Sequence, residues 1–291
     1  MTSLSWQRVL AAVLGVVALV AGLWNYPPFA DWAVRSARAA LGRQESTAVD
    51  NAHELDAQLW ERTLQYWEPF QYDAREAARV AALGIASYVP RDNLASIDGR
   101  VTGRRPDRSD VLDGLHALDT VLLRYPDRFT RATGFERVVW LCDIVKDGAP
   151  VRGVALPPAR LLVMDPTAFD LNVFHHEMFH MVDYALHGDP GDQPEWNALH
   201  PPSAQYIGHA AYAEKLRRGG GLGHADPNFI TDYARAAPTE DRAETFRVCM
   251  SDPSLAAERS ASSAVIAAKI RYIIAAVDAL AEGSSVGLGL R

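Results

Sequence analysis

The sequence predicts an α+β fold that is mostly helical, with a small sheet, preceded by an N-terminal membrane-anchor helix. Helices are indicated because apolar residues recur at helical spacing along most of the chain. The sheet is indicated by three short apolar segments, residues 137–145, 151–156 and 160–164, with turn residues between them. The anchor is indicated by an apolar run over residues 9–24.

The composition is that of a globular protein and gives no sign of nucleic-acid binding. The chain has 291 residues, of which 48% are hydrophobic and 22% are charged, and these values are ordinary for a folded protein. Its net charge is -7, and no basic stripe runs along it. We therefore expect no nucleic-acid partner.

The apolar run over residues 9–24 is intermediate in length between a signal-peptide core and a full membrane span. No cleavage-site pattern follows it directly, which favours an uncleaved signal anchor over a cleaved signal, with a buried core helix as the remaining alternative. Three arginines shortly after the run outnumber the one before it, which argues against export. A single anchor before a large domain more often exports that domain. We expect a membrane-anchored, exported domain and leave its orientation open.

The chain divides into five predicted segments. Residues 1–28 form the signal anchor, and residues 29–48 form a juxtamembrane helix and linker. Residues 49–105 are predicted to be a helical subdomain, residues 106–282 the principal domain, and residues 283–291 a flexible tail.

The pattern of apolar and turn residues predicts further elements inside these segments. Helices are expected over residues 49–67 and 75–87, and a charged loop is expected over residues 90–108. One long helix is expected over residues 254–281, because branched apolar residues recur along one face of it.

A histidine-rich segment follows the predicted strands and reads His-Glu-x-x-His at positions 176–180. Residues four apart lie on the same face of a helix, so His176 and His180 can direct two imidazole nitrogens at one point. They would supply two ligands of a tetrahedral zinc site, at Zn–N distances of about 2.0–2.1 Å. Glu177 is placed to take a proton from a water molecule on the metal. The alternative interpretation is a helix that carries surface or core histidines.

A third ligand is expected from a second helix downstream. Pro238 suits the first position of that helix, and acidic residues in its first turn suit the helix dipole. Glu240 and Glu244 are four residues apart and share a face, so spacing alone does not choose between them. The alternative is an exposed, well-capped helix start with no part in a metal site.

The two cysteines, Cys142 and Cys249, do not form a Cys-x-x-Cys pair, so a cysteine zinc site is not expected. They could form one disulfide in an exported domain. Two buried thiols are an equally good interpretation.

Two stretches together resemble the zinc metallopeptidases related to anthrax-toxin lethal factor. The first reads His-His-Glu-Met-Phe-His over residues 175–180. The second reads Tyr-Ala-Arg-Ala-Ala-Pro-Thr-Glu-Asp-Arg-Ala-Glu-Thr-Phe over residues 233–246. The resemblance covers residues 109–280 and leaves the first hundred residues uncovered. It implies that residues 106–282 are a zincin-like catalytic domain.

The resemblance also implies the roles of individual residues. It implies one zinc ion per chain, with His176, His180 and Glu240 as ligands, since Glu240 stands seven residues after Tyr233. It implies Glu177 as the general base and Tyr233 as a hydrogen-bond donor in the transition state.

Three more residues are interpreted as supports for these ligands. Glu244, one turn after Glu240, is expected to accept the free N–H of a ligand histidine. Asp183 is assigned a supporting role as well, and His175 is assigned either a supporting role or one in packing, because it does not share a face with His180. Three histidines downstream of the motif are interpreted as surface residues: His200, His209 and His224.

The predicted function is hydrolysis of a peptide or protein substrate by zinc-activated water, with Glu177 as general base. The alternative is a non-catalytic zinc-binding envelope scaffold or interaction protein that keeps the site for stability. Glu177 favours the enzyme, because a structural zinc site needs ligands but no base. One of the predicted strands is a candidate edge for pairing with an extended peptide, and the run over residues 9–24 makes the membrane a second partner.

Overall fold

The computed structural model describes residues 60–290, apart from gaps at 62, 98, 189–190, 192 and 218–225. The predicted anchor over residues 9–24 and the predicted juxtamembrane segment, 29–48, lie outside the described residues. Within the described part, no helix has the length and apolar character needed to cross a membrane.

The described strands form two sheets. The strands are β1 (Trp67–Pro69), β2 (Ala86–Pro90), β3 (Leu94–Ile97), β4 (Val101–Arg104), β5 (Arg137–Trp140), β6 (Cys142–Lys146), β7 (Ala149–Pro150), β8 (Gly153–Leu156) and β9 (Leu161–Met164). The larger sheet has the order β1-β2-β5-β9-β8, with β2, β5 and β9 parallel and the two outer strands antiparallel. The smaller sheet has the order β3-β4-β6-β7 and is antiparallel throughout.

Helices make up most of the rest of the described chain. They are α1 (Ala78–Leu83), α2 (Arg108–Leu122), α3 (Asp127–Ala132), α4 (Leu171–His187), α5 (Pro194–Asn197), α6 (His209–Arg217), α7 (Pro238–Ser251), α8 (Pro253–Ser262), α9 (Ala264–Leu280) and α10 (Ser284–Gly287). The α+β class predicted from the sequence is therefore confirmed for the described residues.

The central strands of the larger sheet are buried on both faces. In β5, Val138 and Trp140 belong to the core shared with the helices, and Val139 between them belongs to a second core. In β9, Leu162 and Leu161 divide between the two cores in the same way. Side chains alternate between faces along a strand, so burial on both faces explains why these strands read as continuous apolar runs.

Helix α4 packs against β8 at the edge of the larger sheet and against α7 on its other side. The side chain of Asp170 caps its N-terminus by accepting a hydrogen bond from the amide of Asn172 at 2.8 Å. Gly188, with φ 72°, ends it. The predicted histidine helix is thus held between a sheet edge and the helix that carries the acidic residues.

The strand predicted over residues 137–145 is in fact two strands in different sheets. β5 ends at Trp140 in the larger sheet, and β6 begins at Cys142 in the smaller one. The change of sheet falls at Leu141, whose amide still donates to the Met164 oxygen of β9. The positive φ of 52° at Asp143 lies inside β6, where the pairing with β4 is irregular. A continuous apolar run gave no sign of this change.

The described part of segment 49–105 is not the helical subdomain that the sequence predicted. Trp67, expected at the end of a helix, begins β1, and residues 86–90, partly assigned to a second helix, form β2 of the larger sheet. The predicted loop over residues 90–108 contains the hairpin of β3 and β4. The described residues group as one compact unit, with no boundary among them near residue 105.

Two predictions near the C-terminus are also corrected. The helix expected over residues 254–281 is divided at Ser263, which leaves helical geometry and caps α9 through its hydroxyl. Part of the predicted tail, 283–291, folds as α10, and Leu288 and Leu290 are buried. The amide of Ser285 donates to Asp278 Oδ1 at 2.9 Å, which ties this segment to α9.

Both cysteines are free and buried, so the structure favours two thiols over a disulfide. Burial raises the pKa of Cys142 to about 11 and that of Cys249 to about 12. Each side chain therefore behaves as a small apolar group and not as a reactive thiolate.

Candidate metal centre

His176 and His180 project from the same face of α4 towards α7. Their Nε2 atoms lie 3.1 Å apart, as their spacing of one helical turn predicts. Apolar residues on the other faces of α4, such as Phe174 and Met178, enter the core shared with the larger sheet. Packing of those faces is what directs the two imidazoles away from the sheet and towards the acidic helix.

Glu240 joins the two histidines from the first turn of α7. Pro238 is the first residue of this helix, as the sequence predicted. Glu240 Oε2 lies 3.0 Å from His176 Nε2 and 3.7 Å from His180 Nε2. The two helices therefore bring His176, His180 and Glu240 together as a group that could hold a metal ion.

The geometry of this group suits zinc. Donors that share one zinc ion tetrahedrally, with bonds of about 2.0–2.1 Å, lie about 3.3 Å from one another. The three pairs of donor atoms here are separated by 3.0, 3.1 and 3.7 Å. Two imidazoles and one carboxylate also form the ligand set of known catalytic zinc sites, which leave a further position open. The residues present fit the ion.

The charges of the cluster are strongly coupled. Burial alone would lower the pKa of His176, but hydrogen bonds to Glu240 and Glu244 raise it to about 10. Burial would raise the pKa of Glu240, but its hydrogen bonds to His176 and His180 hold it well below its ordinary value. Ionised carboxylates thus keep a proton on His176. A metal ion requires neutral imidazole ligands, so metal binding at this group releases protons.

Glu244 contacts the other nitrogen of the first histidine. Its Oε1 lies 3.0 Å from His176 Nδ1, which is the position expected for a group that orients a ligand imidazole. Its Oε2 accepts a hydrogen bond from the Thr231 hydroxyl at 2.6 Å, and Arg247 donates to both of its oxygens. Burial would raise the pKa of Glu244, but its contacts with His176 and Arg247 lower it to about 2. Sequence spacing left Glu240 and Glu244 undecided, and the structure gives them different places.

Glu177 lies between the cluster and the edge of the larger sheet. Its Oε2 accepts a hydrogen bond from the backbone amide of Ala155 in β8 at 2.7 Å. The close approach of β8 to α4 depends on Gly153, because a Cβ there would lie 2.7 Å from Val173 Cγ1 and 3.2 Å from Glu177 Cγ. The edge strand and the carboxylate are therefore in direct contact.

Tyr233 lies in a single helical turn just before α7. Its ring packs against His176, with 5.7 Å between ring centroids, and against Tyr212, with 5.0 Å between centroids. Burial and the nearby charges of Glu240 and Glu177 raise the pKa of the Tyr233 hydroxyl far above its ordinary value. The hydroxyl is therefore a neutral hydrogen-bond donor beside the cluster.

Asp183 is buried and accepts a hydrogen bond from Arg242 Nε at 2.8 Å. Through this pair it links α4 to α7.

His175 points into a different environment, with Nδ1 at 2.6 Å from the Tyr125 hydroxyl and Nε2 at 3.3 Å from an Arg124 nitrogen. Burial and the charges of Arg124 and Arg247 lower its pKa to about 3. The packing alternative fits this position.

Two of the histidines interpreted as surface residues lie closer to the site than the sequence suggested. The His200 side chain is buried, so that prediction is wrong, and its Nε2 lies 3.1 Å from Asp241 Oδ2. The His209 side chain is 59% exposed, yet its Nε2 lies 3.7 Å from Glu240 Oε1. No spacing rule links these positions, because His200 follows α5 and His209 begins α6. His224 lies outside the described residues.

Comparison with known proteins adds little to this geometry. No protein-family profile matches the sequence, and no curated protein is similar to it. One solved structure, from Bacteroides caccae ATCC 43185, is of a protein provisionally named a zinc-binding metallo-peptidase. It is 15% identical, covers 76% of this chain and 91% of its own, and superposes with a TM-score of 0.42. Similarity at this level does not establish a shared function.

Proposed function

We propose that the chain is a zinc-dependent peptidase. The observation that carries the proposal is the convergence of a His176, His180 and Glu240 donor set with a carboxylate, Glu177, that is not part of it. A metal site kept only for stability needs no such group. A neutral phenol, Tyr233, lies on the same side of His176 as Glu240.

Each residue of the site has a distinct task in this proposal. When bound, a zinc ion supplies an acidified water and polarises the scissile carbonyl. Glu177 accepts the proton of the attacking water and passes it to the leaving amine. Because Oε2 of Glu177 is engaged by the Ala155 amide, we assign the proton to Oε1.

Tyr233 stabilises the negative charge that develops on the carbonyl oxygen. Its raised pKa keeps the proton on the hydroxyl, so it donates a hydrogen bond without ionising. Glu244 holds His176 in one orientation through Nδ1. These groups are fixed before substrate arrives, as electrostatic stabilisation requires.

The edge strand β8 supports a peptide as the substrate class. β8 pairs with β9 on one side only and is the last strand of the larger sheet. An extended peptide can pair with such an edge through main-chain hydrogen bonds. This edge adjoins Glu177, because the Ala155 amide donates to it at 2.7 Å. A peptide would therefore pair with β8 beside this position or displace Glu177 from the Ala155 amide.

The Glu177→Gln substitution tests the enzyme directly. It removes the proton acceptor and keeps the size of the side chain, so we expect kcat on a peptide library to fall about 10²–10⁴-fold. Zinc content, measured on purified and reconstituted protein, should stay near one equivalent. Glu258→Gln, at an exposed position of α8, is the matched control and should leave both quantities unchanged.

Two results would contradict the proposal. A zinc stoichiometry near zero in folded wild-type protein removes the metal. A wild-type protein that holds zinc and cleaves nothing in the library, while Glu177→Gln alters only binding to another protein, favours the scaffold alternative.

We also propose, on the sequence pattern alone, that residues 9–24 anchor the chain in a membrane. The protein should then stay with membranes after a salt wash, and its mature N-terminus should precede this run. Mass spectrometry of the N-terminus provides the measurement. A start at about residue 40 would instead indicate a cleaved signal.

A further inference from the structure

A buried polar network lies on a different side of α7 from the metal cluster. Its centre is Asp241, the neighbour of Glu240 in sequence, and its side chain is fully buried. Successive residues of a helix point about 100° apart, so Glu240 can face the histidines while Asp241 faces the interior. Asp241 Oδ2 accepts hydrogen bonds from Lys269 Nζ at 2.6 Å and from the Tyr206 hydroxyl at 2.9 Å.

Lys269 connects this carboxylate to a second segment. Its side chain is fully buried, and it lies on the apolar stripe of α9 with Ile266 and Ile273. Besides Asp241, its Nζ donates to the backbone oxygen of Asn228 at 2.6 Å. The ammonium group also lies 4.4 Å from the centre of the Phe229 ring, a favourable place for a cation.

The segment that Lys269 holds, residues 226–235, leads directly to the site. It contains Thr231, which donates to Glu244, and Tyr233, which packs against His176. This segment has no strand or long helix to fix its path. Contacts made by side chains therefore determine where the Tyr233 hydroxyl lies relative to the metal cluster.

We propose that Lys269 and Asp241 are positioning residues whose buried pair fixes the first turn of α7 to the segment 226–235. The pair thereby sets Glu240 and Tyr233 at their working separation. The inference rests on the proposed function, because only a reaction at the cluster depends on that separation. Stability alone does not require this pair, since apolar residues of similar volume often replace a buried ion pair without loss.

The double substitution Lys269→Met with Asp241→Asn tests the pair in the full chain. It removes both charges and keeps an amide oxygen to accept from Tyr206 and His200, so the protein should remain folded. We expect zinc affinity, measured by competition with a chelator, to fall at least about tenfold, as losses around ligands do. We also expect kcat to fall with little change in KM.

A measurement without zinc separates this inference from the proposed function. In metal-free protein, amide hydrogen exchange across residues 226–237 should become faster in the double variant than in wild type. Ser87→Ala is the control, because it removes a buried hydrogen bond to Trp140 Nε1 in the larger sheet. It should lower stability and leave exchange at 226–237, zinc affinity and kcat unchanged.

A folded double variant with wild-type exchange at 226–237 overturns the inference, whether or not wild-type protein binds zinc. If the double variant does not fold, Lys269→Arg decides, because it keeps the charge and changes the distances around Asp241 and Asn228. Faster exchange at 226–237 in that folded variant supports positioning, and wild-type exchange in it shows that the pair serves stability alone.

Discussion

Glu240 and Asp241 are neighbours in the first turn of α7, and both are buried, but they have different kinds of partner. Glu240 faces two histidines, whose charge depends on the proton or metal that they hold. Asp241 faces the ammonium group of Lys269, which has no exposed surface; burial lowers the pKa of Lys269, and the charge of Asp241 opposes that shift. Glu240 thus belongs to a site whose partners can change. Asp241 belongs to a set of buried contacts, with Lys269 and Tyr206, that we call the fixed frame.

The two sets of partners explain how the first turn of α7 can carry a metal ligand and still keep its place in the fold. A buried carboxylate is costly unless it is paired, and Glu240 must be free to change partner when a metal binds. Asp241 holds the same turn of the helix through a pair that does not change. Substitutions at the two positions should therefore differ in their main effect, which is on metal binding at Glu240 and on the folding stability of metal-free protein at Asp241.

The largest expected effect on metal binding is that of Glu240→Ala. It removes one of three donors from the cluster, so zinc binding should be abolished under conditions in which wild-type protein holds one equivalent. The free energy of unfolding of metal-free protein should change little, because His176 keeps Glu244 as a partner. Elemental analysis and thermal unfolding provide the two measurements.

The paired variant Glu244→Ala provides the comparison for this result. It leaves all three donors in place, so it should weaken zinc binding without abolishing it. If Glu244→Ala strips the metal while Glu240→Ala retains it, the ligand has been assigned one helical turn too early.

The largest expected effect on stability is that of Asp241→Leu. It leaves the Lys269 ammonium buried without a counter-ion, which should lower the free energy of unfolding by about 3–5 kcal/mol. Denaturant titration of metal-free protein gives this value. Asp113→Leu, at an exposed position of α2, is the control and should change stability by about 0.5 kcal/mol or less. A loss of similar size in both variants would show that Asp241 is not part of a fixed frame.

These two neighbours also show which parts of the site the sequence could predict. The spacing of His176 and His180 is local and follows from helix geometry alone. Pro238 marked the start of α7, and this placed Glu240 near a helix N-terminus. Asp241 gave no such signal, because its partners Lys269, Tyr206 and His200 come from distant segments.

The fold divides in the same way. Strands β8 and β9 were predicted because turn residues bound each apolar run, whereas the change of sheet at Leu141, between β5 and β6, leaves no mark in the apolar pattern. β2 was missed because alanine-rich sequence just before it favours a helix, and pairing with β5 determines its state instead. Lys269, a lysine on an apolar stripe, indicates a buried ion pair, but the sequence does not indicate that its partner is Asp241.

Tyr233→Phe tests whether the Tyr233 hydroxyl acts in the reaction without contributing to metal binding or stability. It removes only the hydroxyl, so kcat should fall about 10²–10³-fold, as for one oxyanion donor. Zinc content and stability should remain those of wild type. Tyr212→Phe is a matched control, because Tyr212 packs on the Tyr233 ring with 5.0 Å between centroids and should keep kcat within about threefold of wild type. Equal activity of Tyr233→Phe and wild type would remove Tyr233 from the mechanism.

The smallest expected effect is that of Glu244→Gln, which tests a residue that belongs to both the site and its frame. Glu244 orients His176 through Oε1 and accepts hydrogen bonds from Thr231 and Arg247. The amide keeps the shape but loses the charge that fixes the imidazole, so zinc affinity should fall about 10–100-fold. Thr231→Val is the control, because it removes a hydrogen bond to Oε2 and leaves the contact of Oε1 with His176 in place. A loss in Thr231→Val as large as in Glu244→Gln would show that the segment 226–235, and not the charge on Glu244, determines how tightly the metal is held.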